Sequence, residues 1–126
     1  MKYSILLILV LFYSADFIAQ EETNYLEYMT NSLPDSYAKS NASLFFTVQI
    51  AALKNRNKSL ENLKNMNIYK EEDNLTKYRI GEFVNYKDAV EYKKMLLSVC
   101  KGAFIVPVKN GKRIHIKEAL KESLEI

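Results

Sequence analysis

The sequence predicts an α+β fold: a small antiparallel sheet with its helices on one face, a two-layer sandwich whose opposite sheet face is open to solvent. Three observations predict it. Period-two alternation recurs in residues 45–53 and 75–80, and a further apolar strand signal stands at 103–108. Between the last two, Ala89, Tyr92, Leu96 and Val99 repeat at threes and fours, as a core-facing helical stripe requires. Asn110-Gly111 then marks a tight hairpin turn.

Phe45 to Leu53 (FFTVQIAAL) combines aromatic and β-branched residues, which suit a pleated, half-buried strand. Phe46, Val48 and Ile50 fall on one face, with Phe45, Thr47, Gln49 and Ala51 on the other. Ser59 to Met66 reads as a helix with Leu60 and Leu63 on one side. Ile68 to Lys70 is a short strand, and Glu71-Glu72-Asp73 an acidic turn. In Leu75 to Ile80, Thr76, Tyr78 and Ile80 face one way and Leu75, Lys77 and Arg79 the other. Gly81 breaks that strand, and Asn85 caps a helix from about Tyr86 to Val99. Gly102 ends the helix or its loop. Ala103 to Val108 carries Pro107, which has no N–H for a ladder and so demands an edge or an irregularity. A short strand, Lys112 to Ile116, and a helix, Lys117 to Leu124, finish the chain. The order is β-α-β-β-α-β, then a hairpin arm and a helix.

The 126 residues allow one domain and a little more. With 48% hydrophobic and 26% charged residues, the composition is that of a soluble globular protein. Three glycines and two prolines exclude collagen-like and low-complexity architectures. One cysteine, Cys100, and one histidine, His115, exclude a disulfide-stapled scaffold and a Cys/His zinc cage. No metal site and no cofactor is expected. Cys100 reads as a small packing residue.

Residues 1–20 read as a signal peptide: Lys2, a nearly unbroken apolar run from Tyr3 to Tyr13, then Ala19-Gln20 before the acidic Glu21-Glu22. A membrane-spanning helix needs about 20 apolar residues, and this run is about half that. No cysteine stands near the junction to accept a lipid, so no permanent membrane anchor is expected. Residues 21–43 read as a short acidic linker, with four acidic residues against Lys39. From residue 44 onward, 16 Lys/Arg against 10 Asp/Glu place a charge of +6 on the folded part.

Catalysis is not expected. The chain has no nucleophile-elbow Gly-x-Ser-x-Gly, no phosphate-binding glycine loop and no Cys-His pairing in one site. The acidic residues available for glycoside hydrolysis, Glu71, Glu72, Asp73 and Glu82, read as turn residues. An open sheet face offering Gln49, Thr47, Lys77 and Arg79 suits an extended polymer instead.

Four segments carry a family resemblance. Phe46-Thr47-Val48-Gln49-Ile50-Ala51-Ala52-Leu53 resembles the opening strand of the SPOR domain (sporulation-related repeat) family, whose pattern is aromatic-x-Val-Gln-apolar-Gly-small-aromatic. Leu75 to Phe83 resembles the internal repeat of that motif, a strand ending in Gly-x-Phe, and Tyr86-Lys87-Asp88-Ala89 the start of the second helix. Ala103 to Ile114 resembles the closing hairpin of the family's Bacteroidetes members. The resemblance covers about residues 44–118, leaving 119–126 as a C-terminal helix tail. Ala51 and Leu53 depart from the pattern, standing where glycine and an aromatic residue are usual.

The resemblance implies a ribonucleoprotein-like sandwich in the periplasm that binds bacterial peptidoglycan, preferring glycan strands stripped of stem peptides, as at division sites. Gln49 then leads the glycan-binding candidates, since its amide both donates and accepts. Thr47 and Phe45 share its face, the ring suited to stack on a sugar. Lys77 and Arg79 suit the lactyl carboxylate of a bared muramic acid, and Leu75 completes their row. Lys109, Lys112 and Arg113 read as solubilising edge residues. The partners expected are glycan strands and envelope or division proteins. Nucleic acid is not expected: the strands lack the Gly-aromatic-x-aromatic run of RNA-binding sheets, and export removes the chain from RNA. The alternative is an envelope protein–protein adaptor that kept this fold without its glycan contact.

Overall fold

The computed structural model describes residues 24–124; the signal peptide expected over 1–20 lies outside them. Residues 24–31 are helical (α1), and a 3-10 turn follows at Asp35–Tyr37. Then come β1 (Leu44–Leu53), α2 (Lys58–Glu61), β2 (Met66–Lys70), β3 (Thr76–Phe83), α3 (Tyr86–Leu96), β4 (Phe104–Lys109), β5 (Lys112–Arg113) and α4 (Ile116–Leu124). The five strands form one antiparallel sheet in the order β2-β3-β1-β4-β5. The fold is α+β, as the alternating patterns predict.

Residue-level differences have local causes. α2 is one turn, Lys58–Glu61, rather than the span 59–66. Asn57 caps it, its side chain accepting from Leu60 N at 3.1 Å, and Asn65 turns the chain into β2 at φ +64. Gly81 does not end its strand; it lies inside β3 at φ +78. The β1–β3 register slips opposite it, between Phe46 and Val48. Gly81 thus serves a bulge, and a Cβ there would stand 2.5 Å from a ring carbon of Phe83. A second slip falls between Gln49 and Ala51, and two bulges in one strand pair increase its local twist. Asn110 and Gly111 both have positive φ, the requirement of a two-residue type I′ hairpin. Pro107 sits on β4 where only Ile114 N reaches the outer side, bonding Pro107 O at 3.1 Å. In an extended strand the N and O of a residue point the same way, so the missing N–H faces outward and β1 loses no bond.

The core lies between the helices and one sheet face. Phe46 and Val48 of β1, Ile80 and Phe83 of β3, and Ala89, Tyr92 and Leu96 of α3 are all buried in it. Val99 falls beyond α3 and is half-buried. Ala119 of α4 joins the same cluster, so the C-terminal helix is packed rather than a tail.

The reading of 21–43 as a linker is corrected over its described part. Met29 and Leu33 are buried in the core, each stabilising it by about 1.5–3 kcal/mol for a full side-chain burial. Hydrogen bonds fasten the segment to the body. Tyr25 OH donates to Met95 O at 3.1 Å, Asn65 Nδ2 to Thr30 O at 2.9 Å and Ser40 N to Glu82 Oε1 at 2.8 Å. Tyr92 OH donates to Met29 O at 3.1 Å, and burial holds this phenol far above its ordinary pKa. Its polar composition hid the apolar i, i+4 pair of Met29 and Leu33.

Candidate polymer-binding face

Register sets which side chains share the face away from the core. Gln49 stands opposite Arg79 of β3 and Phe104 of β4, while Thr47 stands opposite Val106. Lys77 stands opposite Tyr69 of β2, and Phe45 opposite Val108, which in turn faces Arg113 of β5. Directly opposed residues point to the same side of an antiparallel sheet. The alternation in the sequence therefore brings Phe45, Thr47, Gln49, Lys77 and Arg79 to one face.

That face is not open at its centre, contrary to expectation. Thr47, Gln49, Arg79 and Lys77 are only 2–7% exposed. Phe45 and Leu75 are half-buried, Leu75 lying just outside β3 in the turn. The physical reason is the curl of the sheet. β2 and β5 lie at its opposite ends, yet residues 69–73 and 111–113 line one cleft of about 540 Å³. The curled face is concave, and its polar residues form the floor.

Each floor residue is satisfied by protein. Thr47 Oγ1 donates to Ile80 O at 3.2 Å, and Arg79 Nε donates to Gln49 Oε1 at 3.0 Å. Another guanidinium nitrogen of Arg79 bonds Glu71, and the guanidinium lies 5.0 Å from the centre of the Tyr69 ring. Lys77 Nζ meets Asp73 Oδ2 at 2.6 Å. Among the described residues no buried side-chain nitrogen or oxygen lacks a partner. Two cations this deeply placed need such partners, because an unpaired buried charge costs several kcal/mol. The Lys77 ammonium holds the Asp73 carboxyl below its ordinary range, and burial raises the Tyr69 phenol.

The exposed part of the face is its rim. Tyr69 is 39% and Phe104 41% exposed, and the Arg113 guanidinium rests 5.7 Å from the centre of the Phe104 ring. Lys112 and Arg113 belong to the cleft wall and have no ion pair among the described residues. Sequence reading placed Lys112 and Arg113 as edge residues and passed over Tyr69, Phe104 and the ion-pairing of Glu71 and Asp73. A signal was present: acids at 71 and 73 precede bases at 77 and 79, two alternating pairs across one hairpin turn. A second cleft of about 570 Å³ adjoins, sharing Glu71 and Arg113 and lined also by Ile105, Pro107 and His115. Among the described residues no group of three His, Cys, Asp or Glu side chains could hold a metal ion.

Compared with protein-family models, curated proteins and solved structures, the chain matches none.

Proposed function

We propose that this protein is a non-catalytic binder of bacterial cell-wall peptidoglycan. It takes glycan strands lacking stem peptides on the concave sheet face, in the periplasm after export. The observation that carries the reading is the rim: the half-exposed Tyr69 ring lines one polar cleft with the cations Lys112 and Arg113, and the half-exposed Phe104 ring lies against the Arg113 guanidinium. Ring faces suit the C–H patches of sugars, and the cations suit the lactyl carboxylate that amidases leave uncovered. The resemblance of residues 44–118 to SPOR domains supports the same partner. In this reading the rim makes contact, and Gln49, Thr47, Lys77 and Arg79 shape the floor beneath it.

The test is co-sedimentation with sacculi before and after amidase treatment. Binding should rise once stem peptides are removed. Tyr69→Ala should weaken it about 3- to 10-fold, the scale of a ring contact worth 0.5–1.5 kcal/mol. Indifference to both preparations would remove the glycan reading. The adaptor reading would then lead, favoured by the exposed Tyr28, Met95 and Leu97, which offer apolar surface to a protein partner.

A further inference from the structure

Both buried cations of the floor take their counter-charges from one turn. Glu71 reaches Arg79 and Asp73 reaches Lys77, from residues 71–75 that join β2 to β3. The cation side chains are 4% and 7% exposed, the carboxylates 31% and 47%. The fixed half of each pair is therefore the base, and the half near solvent is the acid. Few bonds seat the turn. Asn74 N donates to Glu71 O at 3.0 Å, Leu75 N to Asp73 Oδ1 at 3.0 Å, and Glu71 N to Leu75 O at 3.5 Å. All of them lie within the turn, and Glu72, Asp73 and Asn74 are exposed.

We propose that the turn is an internal stand-in for an anionic ligand. A polymer bearing repeated carboxylates binds by taking the places of Glu71 and Asp73 on Arg79 and Lys77, and the turn lifts away. This rests on the glycan reading and narrows it: the ligand must carry carboxylates, as a bared muramoyl residue does, and a neutral glycan cannot make the exchange. The physical ground is that exchange never leaves a buried cation unpaired, whereas simple opening does. Lys112 and Arg113, on the opposite wall of the same cleft, draw the anion in. The turn then sets a threshold that a single small carboxylate does not overcome, because two seats must be exchanged together.

The experiment compares wild type with E71Q/D73N on amidase-treated sacculi, and on the same sacculi with their carboxylates amidated. With the turn seated in about nine of ten molecules or more, its neutralisation raises affinity at least about tenfold on the free-acid sacculi. It brings no gain on the amidated ones. If wild type binds and the folded variant binds no tighter, the stand-in is overturned while the glycan reading stands. If neither protein binds either preparation, both fall. Hydrogen exchange on the wild type supplies a measurement that needs no variant. Amides of Asn74 and Leu75 should exchange faster with soluble denuded glycan bound, and unchanged or slower exchange overturns the proposal.

Discussion

Gln49 and Arg79 face each other across the β1–β3 pairing, the Arg79 Nε–H directed at the Gln49 amide oxygen at 3.0 Å. The glutamine thereby aims the guanidinium whose other end meets Glu71.

Gln49→Ala should accordingly act on stability. It strands a buried guanidinium N–H, at a cost of about 1–3 kcal/mol. Urea denaturation should show a lower midpoint with an unchanged slope. Arg113→Ala, at the exposed rim, should leave that midpoint within about 0.5 kcal/mol while weakening retention on sacculi.

Acid should weaken the fold through Asp73. Its carboxyl is held below the ordinary 3.8 by Lys77, so its contribution is fully present above that pH and is lost as the pH falls through the lowered value. Protonation leaves the Lys77 ammonium buried without its partner. Thermal melts from pH 6 down to pH 2 should show the wild-type midpoint dropping at the acid end, with a flatter profile for Asp73→Asn. Equal profiles would count against the pair.

Two glycines at nearly the same φ should respond differently to alanine. Gly81 and Gly111 have φ +78 and +80. Alanine at 111 meets open space and suffers only the left-handed backbone cost, about 1–2 kcal/mol. Alanine at 81 adds a Cβ 2.5 Å from the Phe83 ring, inside the core. Gly81→Ala should therefore cost clearly more in chemical denaturation, and about 3 kcal/mol is a fair expectation once core strain is added.

The N-terminal segment should behave as core. Leu33→Ala should cost about 2–4 kcal/mol, in the range of buried leucine truncations. A chain beginning at residue 44 should expose the surface that Met29 and Leu33 cover and bind a hydrophobic dye. A linker would permit that truncation without loss.

Much of this was legible in the sequence. The alternation in FFTVQIAAL identified both faces of β1 as far as Gln49, beyond which the bulge turns Ala51 to the side of Tyr78, and the stripe Ala89, Tyr92, Leu96 identified the buried side of α3. Asn110-Gly111 specified its own turn, because few other pairs tolerate two positive φ values. Alternation also brought Gln49, Lys77 and Arg79 to one face. It could not say whether that face is flat or concave. Curl depends on bulges at Gly81 and near Ile50, which alternation does not encode. Burial of the two bases follows from that curl, and so does the position of the rim. α1 was legible only in part: Tyr25, Leu26, Tyr28 and Met29 suggest one helical turn, but a single core residue, Met29, within a polar stretch gives too little periodicity to show that it packs.

Pro107 has one more consequence. On its outward side the carbonyl is already taken by Ile114 N and there is no N–H, and β5 adds two paired residues beside it. This margin is a poor template for a foreign strand. At the other margin, β2 (Met66–Lys70) has β3 as its one strand neighbour among the described residues, so its outer side carries no strand there. Sheet extension, whether by self-assembly or by misfolded aggregation, is thus directed to a single side of the molecule.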